Sequence, residues 1–340
     1  MVRLSVIVLI YNMEELLPRC LASLADQAMH DIQFVLVDDG SEDASGKICD
    51  EWAPKNQQVK VIHKRNEGVT AGWMDGVNAA DGEYVGFVDS DDYIDAEMYE
   101  KLWSCVEQHH VDVAMCSHLY EQGEEKTPCR SMLREGIYRD REMNEVRHLV
   151  MPKLAEPYLS PSLCNKIFRR ELFISNFRFC DKDVTIADDV SIVLPCLFSA
   201  KSFAYLDRPY YHYVVRGNSV THTYKANMYE QHRLLIQNLS RAIEQYQPEL
   251  PESDFAMTIS AMGNQWLRMI ANAGLSREET RTVLSRFYHD ALYSDAAAVI
   301  DKQKINKWAR AYCNVVLNHR YLPYKYMIAL LNLRNSLKKR

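Results

Sequence analysis

The chain has 340 residues, of which 47% are hydrophobic and 25% are charged, as expected for a globular protein of two or three domains. Its nine cysteines form no C-x-x-C pair and no Cys/His cluster at zinc spacing, which favours a reduced, cytoplasmic compartment over a disulfide framework. The net charge of −6 argues against broad nucleic-acid binding.

The charge is distributed unevenly. Residues 301–340 contain ten Lys or Arg against the single acid Asp301, interleaved with Tyr and Leu. This composition suits an anionic membrane surface, and it equally suits a solvated basic helix end. No apolar run approaches the roughly 18 to 20 residues that span a bilayer, and the N-terminal LSVIVLIY lacks the flanks of a signal peptide. We therefore expect any membrane contact to be peripheral and to involve residues 310–340.

Short apolar runs alternate with helix-like stretches along the first 118 residues. Strands are predicted at 4–10, 33–37, 59–63, 84–88 and 111–118. Helices are predicted at 14–27, 43–56, 70–80 and 95–109. This alternation predicts parallel strands joined by crossover helices, in a doubly wound α/β unit.

Polar groups follow four of these strands. They are Tyr11-Asn12, Asp38-Asp39-Gly40-Ser41, Asn66-Glu67-Gly68 and Asp89-Ser90-Asp91-Asp92. Ligands of such sheets bind beyond the carboxyl ends of the strands, so we expect these groups to converge on one edge. Their acid and glycine content predicts a site for a phosphate, a sugar or a metal.

The rest of the chain is predicted to add an acceptor-binding half and a helical extension. Residues 121–135 are charged and turn-rich, which indicates a linker or an edge hairpin. From Lys225 onward the apolar spacing is helical, with breaks at 247–253 and near Gly274. The predicted division is therefore 1–120, 121–222 and 223–340.

Three carboxylates close together after the fourth strand require a positive partner. Mg²⁺ and Mn²⁺ prefer oxygen ligands and are often completed by substrate phosphates, so Asp89 and Asp91 suit a metal-diphosphate site. An EF-hand is disfavoured because Ile94 stands where that loop needs glycine. A helix N-cap is the competing explanation for Asp95 and Asp92. The chain contains no P-loop, and no G-x-G-x-x-G follows the first strand.

The order of several short motifs resembles that of a bacterial glycosyltransferase of family 2 with the GT-A fold. The motifs are SVIVLIYN, VLVDDGSEDAS, NEGVTAG, VGFVDSDDYID, LCNKIFRRELF, IADDVSI and YYHYVVRGNSVT. They extend over about residues 4 to 222. The resemblance implies an α/β GT-A domain, a nucleotide-sugar donor and a bound Mn²⁺ or Mg²⁺.

The resemblance also implies roles for individual residues in binding the donor. Tyr11 corresponds to the aromatic residue against the nucleotide base, Glu14 to a ribose contact and Asp39 to the acceptor of the uracil N3–H. Asn66 and Gly68 are implied in nucleotide binding as well. Asp89 and Asp91 correspond to the acids of the DxD motif, where Asp89 lies near the ribose and the metal and Asp91 ligates the metal.

A second set of roles concerns catalysis and the diphosphate. Asp189 corresponds to the base of an inverting transfer, and Asp188 stands where the family usually has a longer Glu. Two acids that cap a helix are the competing explanation for this pair. Arg216 and Ser219 are implied as diphosphate ligands. Lys166 is predicted to lie beneath the active site as a further diphosphate contact, and the alternative is a surface lysine. His212 is a weaker candidate for contact with the diphosphate, because a histidine beside tyrosines is more often a packed or surface residue.

The chain departs from the family pattern at two further places. Leu9 replaces a common proline, a tolerable change, and Gly72-Trp73-Met74 stands where the family often has Ala-Arg-Asn, so an arginine near the donor is missing. The Trp73-Met74 departure and Asp188 at the usual Glu position motivate the alternative, a non-catalytic protein that binds sugar nucleotides or glycans on a degenerate GT-A fold. A nucleotidyltransferase is disfavoured because IYNMEELLPR is not a glycine-rich loop.

The preferred hypothesis is a metal-dependent inverting glycosyltransferase. It predicts a UDP-sugar donor and a glycan or lipid-linked saccharide acceptor in cell-surface polysaccharide synthesis. The basic tail predicts contact with the inner face of the cytoplasmic membrane. The sugar, the linkage and the oligomeric state do not follow from the sequence.

Overall fold

The described part of the chain, residues 2–56, 58–154, 159–215, 224–303 and 305–338 of a computed structural model, contains ten strands in one sheet. The strands are β1 (Leu4–Ile10), β2 (Ile32–Asp38), β3 (Val59–His63), β4 (Tyr84–Asp89), β5 (Tyr93–Ile94), β6 (Val113–Gln122), β7 (Glu125–Cys129), β8 (Gly136–Arg139), β9 (Lys166–Arg169) and β10 (Ser202–Val214). Their order is β3-β2-β1-β4-β9-β6-β10-β5, with β7 beside β6 and β8 beside β10.

The first four predicted strands are parallel neighbours, as the alternating pattern indicated. β1 lies between β2 and β4, and β3 follows β2, all in parallel pairs. Each observed strand begins and ends within one residue of its predicted bounds. β9 runs antiparallel to both of its neighbours, β4 and β6, so the complete sheet is mixed.

Helices cover the sheet and then extend the chain beyond it. The helices that precede the C-terminal extension are α1 (Leu17–Ala25), α2 (Ser45–Trp52), α3 (Val69–Ala79), α4 (Met98–His109), α5 (Met143–Val150), α6 (Arg170–Asn176) and α7 (Asp188–Ser199). The C-terminal extension consists of α8 (Met228–Tyr246), α9 (Glu252–Asn272), α10 (Arg277–Tyr288), α11 (Ala291–Val299), α12 (Lys307–Asn318) and α13 (Tyr321–Lys338). The helix breaks fall at 247–251 and around Gly274, as predicted.

Both faces of the sheet are buried, which explains why its central strands are apolar throughout rather than alternating. Val6 and Val8 of β1 belong to the core on one face, and Ile7 belongs to the core on the other. The second core continues from the sheet into the C-terminal helices, where Trp266 of α9 is buried. The extension is therefore packed onto the body by a shared hydrophobic core.

The predicted division at 120/121 falls inside β6. The following residues form the predicted edge hairpin, in which β6 and β7 are antiparallel and Gly123 has a φ of 63°. β9 and β10, from the second predicted segment, lie in the same sheet as β1. The two halves thus share one sheet, and the division into 1–120, 121–222 and 223–340 stays a prediction.

Candidate active site

The four polar groups that follow the parallel strands lie at one edge of the sheet. The strand register places Ile10 opposite Asp38, Asp38 opposite His63 and Leu9 opposite Asp89. Because parallel strands end at a common edge, the loops beyond these residues are neighbours. The predicted convergence is therefore observed.

Hydrogen bonds to Asp39 link the turn after β2 to the start of α3. The buried Asp39 carboxylate accepts hydrogen bonds of 3.0 Å from the backbone N–H groups of Glu67 and Gly68. Gly40 next to it has a φ of +76°, and a Cβ there would lie 2.7 Å from the Asn66 nitrogen. The sequence therefore needs glycine at this position, and Asp39 is held rigidly where the base contact is predicted.

The loop after β1 is tied to the loop after β2. The Glu14 carboxylate accepts a hydrogen bond of 2.9 Å from the Ala44 N–H, and the Asn12 side-chain oxygen accepts one of 2.8 Å from the Glu42 N–H. Tyr11, between them and β1, keeps 44% of its surface exposed. An exposed aromatic ring on a fixed loop is available to a nucleotide base, whereas the Glu14 carboxylate already has a structural partner.

Asp89, Asp91 and Asp92 form a compact acidic cluster at the end of β4. Each offers one carboxylate oxygen, and these oxygens lie within 4.8 Å of one another. Asp92 is buried, and it accepts hydrogen bonds of 2.7 Å from the Tyr211 hydroxyl and from the Val214 N–H. Burial, followed by the charges of Asp89 and Asp91, raises the pKa of Asp92 to about 8. Asp92 thus supports the cluster and joins it to β10.

The interpretation of Asp92 and Asp95 as helix caps is wrong. Helix α4 begins at Met98, three residues after Asp95. The Asp95 carboxylate instead lies 3.0 Å from Nε2 of His212, whose Nδ1 lies 2.6 Å from Glu121. His212 also stacks on the ring of Tyr93 at 4.1 Å between centroids. Both ring nitrogens of His212 are therefore engaged within the protein.

The acidic cluster has the donor set that a hard divalent cation requires. All of its potential ligands are carboxylate oxygens, which Mg²⁺ and Mn²⁺ prefer over nitrogen or sulfur. Asp92 is buried and bonded to Tyr211 and Val214, whereas Asp89 is exposed and Asp91 is half-buried, so Asp89 and Asp91 are the residues that a metal can reach. A bound cation would also offset the repulsion that raises the Asp92 pKa.

Asp189 lies on the first turn of α7, within electrostatic range of Asp89 in the acidic cluster. Its pKa is raised well above the ordinary value by burial and by the charges of Asp188 and Asp89, against the opposing effects of Lys166 and of the Leu163 N–H. Such a carboxylate accepts a proton more readily than an exposed one does. Sequence reasoning proposed this residue as the base, and the structure places it near Asp89.

The pKa of Asp188 depends mainly on burial and on backbone groups of its own helix. Burial raises this pKa, while the backbone N–H groups of Asp188 and Asp189 at the start of α7 lower it. Ala187, which precedes the helix, has a left-handed φ of 52° that turns the chain into α7. Asp188 and Asp189 are therefore the first two residues of α7 rather than its cap, which is Ala187 and has no side-chain cap bond, and Asp189 is also influenced by Asp89 and Lys166 on other elements.

Lys166 is completely buried, so the surface-lysine alternative is wrong. Its ammonium group donates hydrogen bonds to the carbonyls of Ser160 (2.9 Å) and Ser162 (2.6 Å) and to the Asn165 side chain (2.7 Å). Burial lowers the pKa of Lys166 to about 8, against the opposing effect of Asp189. Since these bonds use its three protons, the geometry supports a positioning role beneath Asp189, and the predicted diphosphate contact stays a prediction.

Two residues of the site were not found by sequence reasoning. The buried Cys164 thiol is hydrogen-bonded to Asp89 and is also influenced by the charge of Asp189. The Tyr211 hydroxyl accepts a hydrogen bond of 3.3 Å from the Asp89 N–H. Both residues stand inside the motifs LCNKIFRRELF and YYHYVVRGNSVT, but their contacts with Asp89 join segments that are distant in the chain, so the local sequence does not reveal them.

The remaining residues singled out in the sequence are Trp73, Arg216 and Ser219. Trp73 is buried and packs edge-on against Phe87 with 6.5 Å between the ring centroids, so it belongs to the core. Arg216 and Ser219, the predicted diphosphate ligands, lie outside the described residues. Val214, two positions before Arg216, donates its N–H to Asp92.

Just over half of the chain, residues 5–177, matches the family described as Glycosyl transferase family 2. The chain belongs to glycosyltransferase family 2. This family 2 chain is 31% identical over 224 residues to EpsJ of Bacillus subtilis, described as an uncharacterized glycosyltransferase, with 64% of the chain and 62% of EpsJ covered. It is 27% identical over 270 residues to EpsH of the same organism, described as a putative glycosyltransferase, with 77% of each covered. The chain thus spans less than two thirds of the length of EpsJ.

The fold of this family 2 chain is shared with a solved structure. The crystal structure of S. aureus TarS 1–349 in complex with UDP-GlcNAc matches it with a TM-score of 0.68 at 20% identity, over 97% of this chain and 92% of that one. The GT-A fold with a C-terminal helical extension is therefore confirmed, as is the predicted family.

Proposed function

We propose that the protein is a metal-dependent inverting glycosyltransferase that uses a UDP-sugar. One arrangement carries the proposal: the carboxylate oxygens of Asp89, Asp91 and Asp92 lie within 4.8 Å of one another at the end of β4, and Asp189, whose pKa is raised, is influenced by the charge of Asp89. The proposed base, Asp189, and the proposed metal ligands, Asp89 and Asp91, therefore belong to one site. The structural match to a TarS complex that contains UDP-GlcNAc supports a UDP-sugar donor.

The donor is proposed to bind along the edge formed by β1, β2 and β4. Tyr11 offers its exposed ring to the uracil, and Asp39 is held by Glu67 and Gly68 so that it can accept the uracil N3–H. Asp89 and Asp91 would hold Mn²⁺ or Mg²⁺, which stabilises the negative charge that develops on the departing diphosphate. Arg216 and Ser219 are proposed to contact the same diphosphate.

In the transfer step an acceptor hydroxyl attacks the anomeric carbon from the face opposite UDP. The new C–O bond forms as the bond between the sugar and UDP breaks, and the hydroxyl proton passes to the Asp189 carboxylate. Lys166, fixed by Ser160 and Ser162, lowers the Asp189 pKa and so limits its protonation before the reaction. Asp188 is proposed to orient the start of α7.

The acceptor is proposed to be a glycan or a lipid-linked saccharide in cell-surface polysaccharide synthesis. Apolar side chains exposed on α13 support contact with a membrane surface: Leu322, Tyr326 and Leu330 are 66%, 70% and 67% exposed and follow one another at helical spacing. Basic residues surround this stripe in the sequence. Within the described ranges, no helix combines the length and the apolar character needed to cross a bilayer. We propose that the tail rests on the inner face of the cytoplasmic membrane.

The test of this function is an assay of UDP-sugar transfer and hydrolysis by the wild type and by Asp189→Asn. Removal of a general base is expected to lower turnover about 10²- to 10⁴-fold, while UDP binding, measured by calorimetry, stays the same. Asp295→Asn, an exposed change on α11, is the matched control. Equal turnover by the wild type and Asp189→Asn would refute Asp189 as the base. UDP binding without turnover by the wild type would support the non-catalytic alternative.

A further inference from the structure

A cleft of about 690 Å³ lies beside Asp189, on the side of the C-terminal helices. Ala187 and Val190 line it at the start of α7, and residues of α9 and Asn332 of α13 line its other side. Its volume is in the range that small-molecule sites occupy. None of the residues that line it belongs to the acidic cluster at the end of β4, so the cleft and the proposed donor site meet only at Asp189.

Helix α9 presents a polar stripe to this cleft. Asn264, Arg268 and Asn272 are four residues apart and therefore lie on one face of the helix, with Gln265 next to them. The neighbouring Trp266 and Leu267 are buried in the core. Planar amides and a guanidinium group supply the directional hydrogen bonds that orient a hydroxyl-rich ligand.

Hydrogen bonds with α13 fix two of these amides. The Tyr324 hydroxyl donates to the side-chain oxygen of Asn264 at 2.8 Å, and the Asn332 amide donates to the side-chain oxygen of Asn272 at 3.0 Å. These bonds use one lone pair of each oxygen, so Asn264 and Asn272 keep two N–H donors and one acceptor site each for a ligand. The stripe is therefore a row of oriented amides rich in donors, which suits the oxygens of hydroxyl and anionic groups.

Basic side chains outnumber acidic ones among the described residues that line the cleft. Of the described residues that line it, Asp189 is the one carboxylate, and Lys153 and Arg268 are the cations. The Lys153 ammonium is buried and lies 3.5 Å from Asp254, so its charge is already compensated. Arg268 is exposed, and no carboxylate of the described ranges forms an ion pair with it. Arg268 thus supplies a cation to any ligand in the cleft.

We propose that this cleft is the acceptor site and that it takes an anionic saccharide or polyol, whose phosphate or carboxylate pairs with Arg268. The planar guanidinium forms two parallel hydrogen bonds with either anion. The amides of Asn264 and Asn272 bind neighbouring oxygens, and one acceptor hydroxyl reaches Asp189. This inference rests on the proposed function, because Asp189 is the proposed base only in that function.

The test measures the binding of three soluble probes of similar length to the full chain by calorimetry. A glycerol phosphate oligomer supplies phosphate, an oligogalacturonate supplies carboxylate, and a malto-oligosaccharide is neutral. We expect one or both anionic probes to bind, and Arg268→Gln to weaken that binding about tenfold or more, as for the loss of a charge-assisted hydrogen bond. Arg277→Gln, the same change at an exposed position of α10, is the matched control and is expected to have no effect.

A second variant tests the same charge without removing the arginine. Asn272→Asp adds a carboxylate four residues from Arg268 at an exposed position, and it is expected to weaken the binding of the anionic probe in the same direction. The proposal is overturned if the malto-oligosaccharide binds as tightly as both anionic probes, if neither anionic probe binds saturably, or if Arg268→Gln leaves their binding unchanged. Preferential binding of one anionic probe identifies phosphate or carboxylate as the recognised group.

UDP binding, measured on the same samples in the presence of Mn²⁺, separates this inference from the proposed function. If UDP does not bind but an anionic probe binds through Arg268, the donor assignment fails and the cleft assignment stands. If UDP binds equally to the wild type and Arg268→Gln while the probes do not bind, the cleft assignment fails alone.

Discussion

The hydroxyl of Tyr211, on β10, donates a hydrogen bond of 2.7 Å to the carboxylate of Asp92, which lies 119 positions earlier in the chain. The same hydroxyl accepts from the Asp89 N–H. β10 therefore supports the acidic cluster, and the geometry of the proposed metal ligands depends on a tyrosine that is not itself among them.

The first prediction concerns this tyrosine. Tyr211→Phe leaves the buried Asp92 carboxyl without its hydroxyl partner, which costs about 1 to 3 kcal/mol of unfolding free energy. Mn²⁺ affinity is expected to fall as well, because the cluster loses its support. Urea denaturation and calorimetric titration with Mn²⁺ measure the two effects. Tyr210→Phe, which removes a hydroxyl from the neighbouring position, is the control. Unchanged stability and affinity in Tyr211→Phe would disprove the supporting role.

The second prediction follows from the raised pKa of Asp189. The folded protein retains a proton on Asp189 at pH values where the unfolded chain, with an ordinary value near 3.8, has lost it. Stability therefore falls as the pH rises from about 4 through the native pKa of this group. Asp189→Asn cannot ionise, so we expect it to be more stable than the wild type at about pH 8 and to lose this advantage at about pH 4.

Denaturation by urea at several pH values measures this difference. Asp295→Asn, at an exposed position, is expected to follow the wild type throughout. Parallel pH profiles of the wild type and Asp189→Asn would show that Asp189 has no raised pKa in the folded protein.

The third prediction concerns Lys166. Lys166→Met removes three hydrogen bonds and leaves the partly buried Ser160 and Ser162 carbonyls without this donor, so we expect a loss of about 3 kcal/mol or more of unfolding free energy. Because the Lys166 charge lowers the Asp189 pKa, its removal raises that pKa further. The acid limb of the pH–rate profile is then expected to move to higher pH.

This shift distinguishes a positioning role from a structural one, which would lower activity equally at every pH. Lys201→Met, at an exposed position, is the control and is expected to keep the wild-type profile. An unshifted acid limb in active Lys166→Met protein would contradict the proposed coupling.

The fourth prediction concerns the exposed stripe on α13. Replacement of Leu322, Tyr326 and Leu330 by serine removes apolar area without disturbing the buried Tyr324 and Ile328 of the same helix. We expect the wild type to float with vesicles that contain anionic lipid, and the triple variant to stay in the soluble fraction. Val299→Ser, at an exposed apolar position outside α13, is the control. Equal flotation of all three proteins would refute membrane contact through the tail.

The parallel part of the fold followed closely from the sequence because its strands are buried on both faces. Their apolar runs are continuous, and each ends at polar residues that also mark the ligand-binding edge. Tyr11, Asp39 and Asp89 were found for that reason. β9 and β10, which complete the sheet, are short or mixed in character, and their places depend on long-range pairing.

The failures at Asp92 and Asp95 have one physical cause. Acids before a helix are typical caps, so local pattern assigned them to α4. In the structure their partners are Tyr211 and His212 of β10, and tertiary contacts outweigh the local preference. Cys164 was missed because a buried thiol has no sequence pattern that separates a site residue from ordinary core.

The most direct test of the account is calorimetric titration of UDP into the wild type and Asp91→Ala, each with and without Mn²⁺, with Asp295→Ala as the control. The account predicts that UDP binds the wild type and Asp295→Ala only when Mn²⁺ is present, and that Asp91→Ala loses about tenfold or more in affinity, as expected when a metal ligand is removed. UDP binding that is independent of Mn²⁺, or equal in the wild type and Asp91→Ala, would contradict a metal-dependent donor site at the end of β4.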